Sequence, residues 1–308
     1  PTAGAAQAAT MKSKYTGKSY THNARFDKLE VLNGVDISAW QEKVDWKKIK
    51  NDGIDFAILR AGYGKKASQE DAYFATNFKN ATAAGLPVGI YWYSYAKSVA
   101  DVEKEARLCL QVLGSRTLDL PVFYDLEESS QLNKGKAFCT QLVEHFCSII
   151  AAAGHTPGLY MSRSPLLDYI EQETRGRYAL WVAEYDSKTC KYDGDYLMWQ
   201  YADNGKVAGV NGNTDMDFLY GNKNSLPGSA TLLKSKTYTG KAITPAPTVT
   251  GENGQPLKAD KDYTLTYINN KAVGMATITA QGLGTYTGRR WYYRFKISVS
   301  YTHLTLRR

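Results

Sequence analysis

Two carboxylic acids one residue apart, Asp125 and Glu127 in VFYDLE, are the most chemically suggestive pair in this sequence. Side chains alternate along a strand, so both would face one side while Leu126 faces the other, about 6–7 Å apart by the rise per residue. Two further acids, Asp36 in GVDISAW and Asp215 in GNTDMDF, also fall where a short apolar run ends. Carboxyl groups crowded into one pocket cannot all ionise easily, so one keeps its proton to higher pH and becomes a donor near neutrality. That property suits cleavage of a glycosidic bond, whose leaving oxygen must be protonated. A lone D-x-E would be an ordinary solvated loop. Four acids at strand ends, among Tyr91, Trp92, Tyr93, Tyr95, Trp181 and the run Trp199-Gln200-Tyr201, are better explained as a site, because aromatic faces stack on sugar rings. About half of those rings are expected to be core.

The elements that must carry these residues are legible from residue 31 onward. Apolar runs at 34–38, 56–60, 88–94, 122–126, 158–161, 179–183, 197–201 and 216–219 read as strands. Amphipathic stretches separate the early ones. Ser98 followed by Asp101 resembles a helix cap, after which Val102, Ala106, Cys109 and Leu113 share one face. Phe138, Leu142, Phe146 and Ile149 repeat the pattern, with Gly154 as a stop. Eight strands with helices after most of the early ones predict an α/β, TIM-like barrel, and in such barrels the catalytic groups sit at the carboxyl ends of the strands. The short, Gly-rich link at 204–213 leaves little room for the last helices.

Other chemistries are excluded by what the chain lacks. With 43% hydrophobic and 22% charged residues the sequence is globular in composition, and no apolar run is long enough for a membrane span. The four cysteines (Cys109, Cys139, Cys147, Cys190) form no C-x-x-C pair, and only four histidines occur, so zinc hydrolysis and a disulfide scaffold are both disfavoured. No metal and no cofactor is expected. The net charge of +8 is concentrated at one end: residues 231–308 hold 12 Lys and Arg against 3 Asp and Glu, a net +9, which leaves a net −1 on residues 1–230. An anionic surface is the natural partner of such a tail.

Taken in order, GVDISAWQ, FAILRAGYG, GIYWYSYA, VFYDLE, GLYMS, LWVAEY, LMWQYAD and TDMDF resemble the family 25 glycoside hydrolases, lysozymes that cut peptidoglycan. The resemblance covers roughly residues 31–222. It implies a modified TIM-like (β/α)5β3 barrel over residues 31–224 and N-acetylmuramidase activity on the β-1,4 bond between N-acetylmuramic acid and N-acetylglucosamine. It also implies Glu127 as general acid, Asp125 as its partner at the substrate's acetamido group, and Asp36 and Asp215 as the other pocket carboxylates. Trp199 and Gln200 would line the cleft, Tyr63 and Tyr93 fall in wall-like segments, and Asp217 stands where family members often carry Asn. Glu184 replaces a frequent Gln, which would alter the charge of one wall. The D-x-E spacing resembles enzymes in which the substrate's acetamide attacks the anomeric carbon, while the separation also fits an inverting route through water.

The remaining segments divide simply. Residues 1–30 read as a leader or linker, and the small residues at the start fit a chain from which an export signal has been trimmed, so a secreted or wall-associated enzyme is expected. After residue 231 the helix pattern vanishes. TYTGKAITPAPTV, DYTLTYINN and VGMATITAQGLGTYTG resemble bacterial Ig-like repeats, implying a small all-β sandwich at 236–298 that either spaces the barrel or binds anionic wall polymers. The final VSYTHLTLRR (299–308) is set aside as a foreign tail. The expected partner is the glycan strand of peptidoglycan, not a nucleic acid. Competing readings are an inactive glycan-binding protein and a hydrolase of another amino-sugar polymer such as chitin, although the longer D-x-x-D-x-D-x-E run of chitinases is absent.

Overall fold

The computed structural model describes residues 9–221, 226–251 and 254–299. The first elements are a hairpin, β1 (Thr10–Lys12) and β2 (Ser19–Thr21), and a single 3-10 turn at Ala24–Phe26. Apolar strands then alternate with capped helices in the order β3 (Glu30–Ile37), α1 (Trp46–Asn51), β4 (Phe56–Tyr63), α2 (Phe74–Ala83), β5 (Val88–Tyr93) and α3 (Val99–Leu113). The series continues through β6 (Val122–Asp125), α4 (Ser129–Leu132), α5 (Lys136–Ala152), β7 (Pro157–Ser162), α6 (Arg163–Tyr169) and α7 (Gln172–Arg177). Strands β8 (Ala179–Ala183), β9 (Met198–Gly205) and β10 (Thr214–Gly221) follow with no helix between them. Together β3 to β10 close into an eight-stranded barrel.

Strands β3 to β9 run parallel, and β10 closes the ring antiparallel to both β9 and β3. That reversal needs a tight link. It passes Gly209 at φ 99°, where a β-carbon would lie 2.5 Å from the carbonyl oxygen of Asp45. The helix signals act as expected: the Ser98 side chain accepts from the Asp101 amide, and Val102, Ala106, Cys109 and Leu113 turn inward. Inside the ring Phe56, Phe123, Trp181 and Met198 fill the lower barrel. Phe56 lies so close to Gly34 that a β-carbon there would meet its ring at 2.1 Å. Filling the lower half leaves the open end of the barrel for chemistry.

The opening segment corrects the linker expectation. Helices are missing outside β9 and β10, and residues 9–30 cover that bare face instead. Tyr20 packs on Trp199, Tyr201 and Phe218, and the Phe26 ring stacks on Tyr220 at 3.9 Å. His22 Nδ1 meets the Tyr220 hydroxyl at 2.8 Å, and burial lowers the imidazole pKa to about 4. Three-residue strands are too short to show a period, which is why the sequence reads as featureless here.

The C-terminal module departs from a two-sheet sandwich. Its described residues form one five-stranded sheet from β11 (Thr231–Leu232), β12 (Lys236–Thr237), β13 (Tyr263–Ile268), β14 (Gly274–Gly282) and β15 (Arg290–Ser298). Irregular chain bearing Val249 and Leu257 covers one face and completes a small core with Ile278, Tyr293 and Phe295. The sheet is bolted to the barrel: Arg290 pairs with Asp195 at 2.5 Å, Gln281 donates to the same carboxylate, and Arg294 donates to Thr156 Oγ1 at 2.9 Å. Part of the tail's positive charge is thus spent inside the molecule. Residues 300–308 of the suspected tail, residues 1–8 of the leader and the barrel boundary at 224 lie outside the described residues.

Because Phe26 is buried against Tyr220 and Tyr196, Phe26→Ala should destabilise the whole protein by about 3–5 kcal/mol, as for other buried aromatic truncations. Urea unfolding checks this. A loss below about 1 kcal/mol would return the segment to the status of a dispensable leader.

Candidate active site

The carboxyl ends of the parallel strands and the amino end of the reversed β10 surround a cleft of about 270 Å³ whose lining includes Asp36, Asp125, Glu127 and Asp215, so Asp215 stands where its strand begins and not, as expected, where it ends. Asp125 is the last residue of β6, level with Tyr93 of β5 and Tyr160 of β7. Leu126 points into the core and Glu127 comes back to the cleft beyond the strand end. The antiparallel closure sets Asp215 of β10 directly opposite Asp36 of β3. Gln200 of β9 knits the floor together. Its amide nitrogen donates to Asp36 at 2.7 Å, while its oxygen accepts from the Tyr160 hydroxyl at 2.7 Å and from the Tyr185 hydroxyl.

Every one of these acids is shifted upward. Burial, followed by the Asp215 and Asp217 charges, raises Asp36 well above the carboxylate range, and burial pushes Asp215 to about 6. Asp125 is raised well above its ordinary value by burial first and by Glu127 next, with the Arg60 guanidinium opposing. Its Oδ1 is buried and has no hydrogen-bond partner. Glu127 opens outward at the cleft mouth, yet protein packed around its inner side withdraws water and raises its pKa, with Glu128 adding to the effect. Arg60 is held in place by Asp71 at 2.8 Å, whose carboxylate also accepts from the Ala39 amide. The arrangement can therefore keep protons on carboxyl groups near neutral pH and supply one to a bound oxygen.

Asp36, Asp125, Glu127, Asp215, Tyr93 and Gln200 meet in the cleft. The others do not. Trp199 is fully buried on the outer side of β9 against Tyr20 and Phe218, because strand alternation lets only one of Trp199 and Gln200 face inward. Tyr63, half-exposed, packs on the Arg60 guanidinium and edge-on to Tyr95, outside the lining of the cleft. Asp217 lies beneath the floor, fully buried, accepting from Trp181 Nε1 at 2.7 Å. Glu184 does not charge a wall at all, since it pairs with Arg163 at 3.0 Å and accepts from the Lys191 amide.

Sequence reasoning missed Arg60, Tyr160, Tyr185 and Trp40. Three of them carry a faint signal: Arg60 and Tyr160 sit within strands that end at the cleft, and Trp40 follows Asp36 by four residues. Trp40 is 82% exposed on a turn capped by Ser38 and Gln41, an unusual position for a large ring.

Residues 35–210 match the family described as Glycosyl hydrolases family 25. The uncharacterized protein YegX of Escherichia coli O157:H7 is 31% identical over 205 residues, 63% of this chain and 72% of that protein. The autolytic lysozyme of Clostridium acetobutylicum is 26% identical over 186 residues, 60% of this chain and 55% of that one. Among solved structures, the modular autolysin LytC from Streptococcus pneumoniae in complex with a synthetic peptidoglycan ligand aligns with a TM-score of 0.56 at 25% identity, over 69% of this chain and 52% of that chain. The chain spans about half the length of these last two proteins.

A carboxyl raised in the folded state stabilises the fold below its unfolded pKa and loses that contribution as pH rises through the folded value. For Asp215 the window runs from 3.8 to about 6. Asp215→Asn should therefore flatten the fall in melting temperature across that window. A variant that declines as steeply as the parent would show that Asp215 titrates normally.

Proposed function

The chain belongs to glycosyl hydrolases family 25 and is a glycoside hydrolase, and on that premise we propose that it cleaves the β-1,4 bond between N-acetylmuramic acid and N-acetylglucosamine in peptidoglycan. The observation that carries this reading is the convergence of Asp125, Glu127, Asp36 and Asp215 on one cleft, with Asp125 Oδ1 left unpartnered. An unmatched buried acceptor is costly unless a ligand completes it. The N–H of a substrate acetamido group is a fitting donor. With that N–H held by Asp125, the acetamide carbonyl attacks the anomeric carbon, and Glu127 protonates the departing glycosidic oxygen. Water then enters, Glu127 takes its proton, and the cyclic intermediate opens with net retention.

The exposed Trp40 ring and Tyr185 at the rim offer faces for sugar rings on either side of the scissile bond. Asp36 and Asp215 bear the remaining proton and keep the pocket floor polar. The relatives support the substrate class, one being named a lysozyme and another being solved with a peptidoglycan ligand. The C-terminal sheet is read as an accessory that keeps the enzyme at anionic wall polymers, a reading supported by the cationic surplus of its segment. Secretion or wall association follows from the substrate.

Mass spectrometry of digested walls tests the reaction: new reducing ends should be N-acetylmuramic acid, and reducing N-acetylglucosamine would sink the assignment. Glu127→Gln should lower kcat by about 10²–10⁴-fold while glycan binding survives, since the amide keeps the shape and cannot donate. Asp125→Asn should be nearly as harmful, and near-parental turnover by it would remove the acetamide from the mechanism. Asp125 and Glu127 hold one proton between them over the working range, so the rate should rise and then fall around an acidic to neutral optimum.

A further inference from the structure

Glu105 takes no part in the reaction above, yet it is a carboxyl group with no exposure at all. It sits on α3, behind the cleft wall. Its Oε1 accepts the Tyr95 amide at 2.8 Å, and its Oε2 accepts the Ser94 hydroxyl at 2.8 Å, with the Tyr124 hydroxyl at 3.4 Å. The Ser94 oxygen in turn receives Gln131 Nε2 at 2.8 Å and the Ala96 amide at 3.2 Å. The Ser94 and Tyr124 hydroxyls also stand 2.6 Å apart, and a hydroxyl has one proton and two lone pairs, so with the Ser94 lone pairs taken by Gln131 and Ala96 its proton goes to Glu105 directly or to Tyr124, whose own proton then faces the acid. Ionised, Glu105 accepts from every donor around it. Protonated, it must surrender an acceptor position and turn its new O–H toward Tyr124.

What these bonds fasten is the turn that leaves β5. Tyr93, just before it, lines the cleft, and the Ser94 amide donates to the backbone oxygen of Asp125 at 3.0 Å. Tyr95 packs against Tyr93 and Tyr63. We propose that Glu105 is a positioning residue for the hydrolysis: its carboxylate pins the 94–96 turn, and through it the Asp125 backbone and the Tyr93 ring, so that protonating it slows catalysis without any contact with substrate. This rests on the hydrolase reading of the cleft.

The groups facing Glu105 leave it as the one that titrates. On its own helix Asp101 is matched by Lys65 at 2.7 Å. From β6 comes Tyr124, raised well above its usual range by burial. From α5 come the thiols of Cys139, which donates to the Gln131 carbonyl, and Cys147, which acts on Tyr124, and burial raises both. Burial likewise pushes Glu105 to about 7, inside the range where such an enzyme would work.

The experiment pairs nuclear magnetic resonance on the free protein with kinetics on soluble muroglycans, using the parent and Glu105→Gln. The Tyr95 amide, with the Ser94 and Asp125 resonances moving in step, should titrate in the parent with a midpoint of about 7 and be flat in the variant. The variant's kcat should fall about ten-fold or more, the effect of one charge-assisted hydrogen bond, with KM within about two-fold and the matching step missing from its pH profile. Should Glu105→Gln fail to fold, Ser94→Ala removes the hydroxyl relay while leaving the acid, and the same loss in kcat is expected. Parental turnover in a folded variant, or a Tyr95 amide that moves while the Asp125 resonance stays still, overturns the proposal. A parent that releases no muroglycan at all overturns the hydrolase reading instead, and the coupling of Tyr95 to Asp125 is still read directly from the resonances.

Discussion

A carboxyl group withdrawn from water must find a proton, a cation or a set of donors, and this barrel mouth gathers four of them with one guanidinium nearby. Arg60 cannot neutralise them all, because its Nε is committed to Asp71. Protons must therefore make up the difference. The walls enforce this by presenting rings and an amide where water would otherwise stand, with Gln200 as the joint between two tyrosine hydroxyls and Asp36. Even the reversed direction of β10 serves the same end, since it brings Asp215 level with Asp36. A pocket so arranged is acidic in function because it is poor in compensation.

The same economy of elements shapes the outside. Parallel strands need covering on both faces: inside the ring side chains such as Phe56 and Phe123 do this, and outside it the helices do so for the first five barrel strands. Where the helices stop, Trp199, Tyr201, Phe218 and Tyr220 face outward, and Tyr20, His22 and Phe26 arrive from the beginning of the chain to cover them. A segment of unremarkable composition thus does the work of two missing helices.

Much of this was legible in the residues and some was not, for reasons that differ. The D-x-E and the strand-end acids were visible because alternation and strand length together fix where a side chain points. The same alternation separates Trp199 from Gln200, and treating WQY as a block conceals it. The hairpin at 10–21 escaped notice since its three-residue strands end before an alternation of two residues can repeat. Glu105 was hidden in plain sight: it shares the apolar face of α3 with Val102, Ala106 and Cys109, where a charged residue has no business unless something waits for it. The C-terminal module has the alternation of a sandwich, but its second layer is built from irregular chain, which leaves no periodic trace.

Thr156, which receives Arg294, immediately precedes β7, whereas Asp36, Asp125 and Glu127 stand where parallel strands finish and Asp215 where the reversed β10 begins. The sheet and the cleft consequently occupy opposite poles of the barrel, joined by the rigid Arg290–Asp195 strut. Anything the sheet touches it meets on the side of the barrel away from the acids, so the lining of the cleft is complete without it.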